Sequence, residues 1–166
     1  MDNSYTPQEG TLTDEDMQSA MLTQLSAVMG TLEELDIDSE LHMNEEGVPF
    51  LIVKGEDRQL RLIGVPVDDT LRRYMLLVTT AVIDGIEEDV SIGVNMDAMA
   101  LCAQYNMSSV IGYAVYLPPE GMIELRAQQL YEGGAPDAQT LEAYLTLFYG
   151  SASELVGLWD EMREDN

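Results

Sequence analysis

Residues 50–65 read FLIVKGEDRQLRLIGV. Two apolar runs, Phe50 to Lys54 and Gln59 to Val65, flank Gly55-Glu56-Asp57. Such runs around a short polar, glycine-containing turn predict a β-hairpin, and a hairpin makes its strands antiparallel neighbours. Upstream, Leu41 to Met43 is a candidate for a further short strand turning at Glu46-Gly47, so that three or four strands are expected before the middle helix. Downstream, Tyr74 to Ile83 is longer and rich in Leu, Val, Thr and Ile. It is apolar on both faces, which predicts a central strand, and Asp84-Gly85 ends it. A second hairpin is expected from Val110 to Leu117 and Met122 to Tyr131 across Pro118-Pro119-Glu120-Gly121. In its second arm Ile123, Leu125 and Ala127 alternate with Glu124, Arg126 and Gln128, the pattern of a half-exposed strand.

Three helices punctuate these strands. Thr13 is placed to cap the first, with Asp14, Glu15 and Asp16 at its electropositive end. Met17, Met21, Leu25, Val28, Leu32 and Leu35 then recur every three or four residues as one apolar stripe. Asn95 is expected to cap a short middle helix through Tyr105. Pro136 suits the first position of a last helix, after Gly133-Gly134 breaks the sheet. There Leu141, Leu145, Phe148, Ala152, Leu155, Trp159 and Met162 form the most regular stripe in the chain, suited to covering a sheet. Gly150 and Gly157 weaken that helix by about 1 kcal/mol each relative to alanine, so tertiary packing must hold it. The expected fold is α+β: an antiparallel sheet of about five strands in the order α-β-β-β-α-β-β-α. Residues 1–12 read as a flexible tail and 13–166 as one domain.

The 166 residues are 46% apolar, enough for a real core, yet carry 31 acidic against 7 basic residues, a net charge of −24. That charge argues against nucleic acid and anionic lipid as partners and favours solubility and cationic partners. No apolar run reaches membrane-spanning length. The polar, acidic stretch from Met1 to Asp16 does not read as a signal peptide. A lone cysteine, Cys102, fits a reducing cytoplasm. Five of the seven basic residues, Lys54, Arg58, Arg61, Arg72 and Arg73, fall in one stretch that nets +1 with its four acids. This strip is either a locally neutral piece of sheet or a contact for an acidic surface, in the same chain or a second copy.

Chemistry-bearing motifs are sparse, and no catalytic, cofactor or metal residues are assigned. His42 is the only histidine, and Cys102, among alanines and Leu101, reads as a buried inert thiol. Phosphate-binding glycine loops, zinc-protease and serine-hydrolase signatures do not occur. Asp36-Ile-Asp-Ser-Glu40 has the rhythm of a calcium loop, but position six is Leu41 rather than glycine and position twelve is Gly47 rather than glutamate. Glu87-Glu88-Asp89 lacks ligand spacing. The middle helix shows apolar or small residues in every direction: Met96, Ala98, Met99, Ala100, Leu101, Cys102 and Ala103. One side can lie on the sheet and the other then needs a partner. Met96, Met99 and Leu101 are therefore the candidate dimer or partner surface.

Gln104-Tyr105-Asn106 ahead of the Val110 strand, the Gly121 turn, the Leu125 strand, Gly133-Gly134 and the long last helix resemble the YbjN-type family of bacterial proteins, which shares its fold with type III secretion chaperones. The resemblance covers about Thr13 to Met162. It implies a dimer-prone, non-enzymatic domain; the chaperone branch binds an extended segment of a client and the YbjN branch is linked to regulation. The leading expectation is a chaperone-like or adaptor domain engaging a protein or peptide partner. The alternatives are an immunity-type acidic inhibitor of a basic toxin or nuclease, a nucleic-acid mimic, and an enzyme of unknown type. The acids sit in loops and caps rather than in rows along helices, which disfavours the mimic. Repulsion among exposed carboxylates at −24 is screened by salt. The melting temperature is therefore expected to rise by several degrees from low to moderate sodium chloride; a flat or falling curve contradicts net repulsion.

Overall fold

The computed structural model describes residues 13–55, 57–68, 71–86 and 92–164. The N-terminal tail and the Glu87-Glu88-Asp89 run lie outside the described residues. Helix α1 (Asp14–Glu34) leads into strands β1 (Ser39–Met43), β2 (Pro49–Lys54), β3 (Gln59–Pro66) and β4 (Arg73–Ile83). Helix α2 (Ile92–Ser108), β5 (Tyr113–Leu117), β6 (Met122–Glu132) and α3 (Ala138–Glu164) follow. All neighbouring strands are antiparallel, in the order β1-β2-β3-β4-β6-β5. The class and element order match expectation, but the sheet has six strands rather than five. The sixth is β1, which begins at Ser39 and pairs along its whole length with β2. Leu41 and Met43 alternate with Glu40 and His42, but four of its five residues are exposed and Ser39-Glu40 carries no apolar signal, so little in the sequence announces its length.

Period-two alternation sorts the sheet into two faces. Leu51, Val53, Leu60, Leu62, Tyr74, Leu76, Val78, Ile123, Leu125, Ala127 and Ala114 are buried together on one face. All three helices lie on that face. α1 brings Leu25, Val28 and Leu32 over β2 and β3, α3 brings Leu145, Phe148, Ala152 and Leu155 over β4, and α2 lies against β5. Both helical stripes expected to cover the sheet do so.

Local chemistry sets the helix ends. Thr13 caps α1 as expected: its hydroxyl accepts from the Asp16 N–H, and its own N–H donates to Asp16 Oδ2 at 3.0 Å, a reciprocal capping box. At the other end Asp36 takes a positive φ of 58°. The Ile37 N–H donates to the Leu32 carbonyl and the Asp36 N–H to the Glu33 carbonyl, the Schellman closure. The acidic Asp36-to-Glu40 run is thus a helix stop followed by a strand start. Two expected helix starts are corrected. Asn95 lies inside α2, which runs on to Ser108, and its amide oxygen instead accepts from the Tyr116 hydroxyl. Pro136 lies before α3; Asp137 holds the cap, accepting from the Thr140 N–H at 3.0 Å. The Pro136 carbonyl accepts from the Thr31 hydroxyl at 3.1 Å, tying α1 to the start of α3 across 105 residues of chain.

The buried face closes over tyrosines. Tyr74 donates to the Gly134 carbonyl and stacks on Tyr131, with ring centroids 5.6 Å apart. Burial pushes the phenols of Tyr74 and Tyr131 up to about 12. The unfolded phenol ionises near pH 10. Above that pH the unfolded chain releases protons that the folded chain retains, so stability falls as pH rises through the folded values. Urea unfolding is expected to show stability falling steeply between about pH 10 and 12, with a smaller fall in Tyr74→Phe. An undiminished stability at pH 12 contradicts the burial.

Candidate interaction surfaces

The residues that singly invite chemistry are each otherwise engaged. Cys102 is buried in α2, and desolvation raises its thiol to about 11, far from a reactive thiolate. His42 stacks on Phe50 and lies 3.4 Å from Glu40. Lys54 donates to the same Glu40 across the β1–β2 pair, and this partnership lowers the Glu40 carboxyl and raises the Lys54 ammonium. Among the described residues no three acidic, histidine or cysteine side chains come together as a metal-holding group.

A cavity of about 550 Å³ opens between the end of α1, the β2–β3 turn and α3, walled by Leu35, Ile37, Val53, Leu145 and Tyr149 among others. Gly55 is confined here, because a Cβ on it would lie 2.3 Å from the Tyr149 hydroxyl. Beside it the largely buried Arg58 guanidinium donates to Asp57 at 3.0 Å, while its Nε and Nη1 have no hydrogen-bond partner among the described residues. Arg58 is not part of the cavity wall, so its spare donors do not define a ligand site there.

Two apolar surfaces remain. The first is α2. Ala98, Leu101, Cys102 and Tyr105 point inward. At 3.6 residues per turn, Met96, Met99, Ala100, Ala103 and Met107 lie on the opposite side of the same helix. Met96 and Met99 are 63% and 62% exposed, Met107 is 90% exposed, and Val110, just beyond the helix, is 98% exposed. The helix is therefore apolar on two opposite faces, separated by Asn95 and Asn106 on one flank and Asp97 and Gln104 on the other. Asp97 is its only charged residue. Of the three residues singled out in the sequence, Met96 and Met99 lie on the outer stripe. Leu101 is corrected: it has no exposed surface and belongs to the core. Met107 and Val110 were missed, although they continue the Met96–Met99 spacing.

The second surface is the sheet face away from the helices. Here β3 and β4 present Ile63, Val65, Met75 and Leu77, β2 presents Phe50 and Ile52, and β6 presents Leu130. No described helix lies on it. The basic strip is divided between the two sides. Lys54, Arg61 and Arg73 are on this open face and are joined there by Arg126, whereas Arg58 lies in the β2–β3 turn near Tyr149 of α3. Arg73 pairs with Asp68 at 2.7 Å, Arg126 with Glu124 at 2.6 Å, and Arg61 lies 4.7 Å over the Phe50 ring.

Two side chains of α2 fasten it to the edge strand: Asn95 accepts from the Tyr116 hydroxyl, and Asn106 binds the Ala114 backbone. Asn106 donates to the Ala114 carbonyl at 3.0 Å and accepts from the Ala114 N–H at 2.7 Å. It completes the hydrogen bonding of that residue as a neighbouring strand would. Compared with known proteins, the sequence matches no protein-family model and no curated protein. Asn106→Ala leaves both Ala114 groups without this partner and is expected to cost about 1–3 kcal/mol in urea unfolding. Amide exchange is expected to rise selectively in 113–117; uniform exchange across the sheet contradicts the clamp.

Proposed function

We propose that this chain is a non-enzymatic protein-binding domain of the adaptor or chaperone-like kind, acting as a homodimer in the cytoplasm. The observation that carries the reading is the outer stripe of α2. A helix that keeps methionines on its solvent side, in a protein of charge −24, exposes them at a cost unless another chain covers them. The stripe is also self-complementary. Met96, Met99, Ala103, Met107 and Val110 are spaced three, four, four and three, a pattern that reads the same in both directions about Ala103. In an antiparallel pair Met96 of one copy meets Val110 of the other, Met99 meets Met107, and the two Ala103 residues meet on the axis. That reciprocity is what a two-fold interface requires. Because the stripe carries no charge, two like-charged chains approach there with least repulsion. The resemblance to YbjN-type proteins and secretion chaperones points the same way, and the buried thiol of Cys102 suits a reducing compartment.

Light scattering at micromolar concentration tests this. The chain is expected at an even multiple of 18.4 kDa, and Met99→Asp with Met107→Asp is expected to halve that mass while the protein stays folded. A wild-type mass of 18.4 kDa, or a variant of unchanged mass, refutes dimerisation through α2.

A further inference from the structure

We infer that the open sheet face is a second interface, on which another copy of this chain stacks its own open face. The inference does not rest on the reading of α2, which lies on the opposite side of the sheet.

An antiparallel sheet with one solvated face ordinarily alternates apolar and polar residues. Here the central strands break that rule. Opposite the core, Val65 pairs with Met75 and then Leu130, an apolar row across three strands, and Ile63 pairs with Leu77, whose neighbour on β6 is Gln128. A strand apolar on both sides belongs between two layers, and the described residues supply only one.

Charge and area select the occupant. The open face carries Lys54, Arg61, Arg73 and Arg126 against Glu40, Glu124 and Glu132, a net of +1, in a chain whose total is −24. Three of the four cations are already paired, with Glu40, Asp68 and Glu124. An acidic partner would call for unsatisfied cations. A face neutralised from within instead suits an occupant that brings no net charge to the contact, and the same face of a second copy does that. Each open-facing position occupies about 33 Å² of sheet plane, from strand and residue spacings of about 4.8 and 6.8 Å. The twenty-three open-facing positions thus span about 750 Å², close to the roughly 800 Å² per partner of a stable complex. Two such faces stack about 10 Å apart with interdigitating side chains, as in a β-sandwich.

The test replaces Val65 and Leu130, 39% and 53% exposed, with lysine. Both sit on strands whose inward residues are untouched. The added cations lower the overall repulsion between copies, so lost association cannot come from charge in bulk. In light scattering at moderate salt, Val65→Lys with Leu130→Lys is expected to halve the wild-type mass, with the near-ultraviolet circular dichroism of Trp159 retained. Should the lysine pair fail to fold, Val65→Thr with Leu130→Thr is expected to weaken the association at least tenfold instead. An unchanged mass in the folded variant overturns the inference, even if Met99→Asp with Met107→Asp does halve it. A monomeric wild type overturns it as well. Loss of association in the α2 variant alone, or in the open-face variant alone, separates the failure of one interface from that of the other.

Discussion

Tyr74, Leu76 and Val78 must be kept from water, and the fold is organised around doing so from one side. Every helix is spent on that side of the sheet. α1 and α3 cover its middle, and the Thr31 hydroxyl on the Pro136 carbonyl holds the two together. α2 reaches the edge strand, where one asparagine amide takes the place of a missing neighbouring strand. Two glycines in α3 are tolerated because Leu141, Leu145, Phe148, Ala152, Leu155 and Trp159 are all buried. Burial of several such side chains, at about 1.5–3 kcal/mol each, exceeds the helix-propensity cost of two glycines.

The charge is distributed in keeping with this layering. Carboxylates crowd the first turn of α1 and the loops, where water and helix ends accept them. Cations gather on the sheet face that the helices leave bare, most of them held by a nearby carboxylate. A strongly acidic molecule thereby keeps two regions near neutrality, the outer stripe of α2 and the open sheet. Both regions carry exposed apolar residues, Met96, Met99 and Met107 on α2 and Val65 and Leu130 on the open sheet. At a contact with little net charge, hydrophobic burial rather than charge sets the strength of association.

Much of the fold was legible in the sequence, because short-range periodicity and turn chemistry carry it. The hairpin at 50–65, the alternation in Met122 to Tyr131, the Thr13 cap and the α3 stripe each depend on residues close together in the chain. β1 was only partly visible, since its alternation is confined to Glu40 to Met43, too short to mark a strand by itself, and little of it is buried. The helix starts expected at Asn95 and Pro136 were misplaced: Asn95 has its amide oxygen engaged by the distant Tyr116, and the cap of α3 falls to Asp137, one residue beyond Pro136.

For the candidate surfaces the sequence determined composition, and the tertiary structure determined direction. That α2 is apolar all round is written in Met96 to Met107, as is the double apolarity of Tyr74 to Ile83. Periodicity states which residues share a face; it does not state which face meets the protein. Packing against β5 turns Leu101 inward and leaves Met99 outward, and the placement of all three helices on one side leaves the half-buried Ile63 and Leu77 with no described helix over them. Those choices depend on contacts between elements far apart in the chain, which no local pattern encodes.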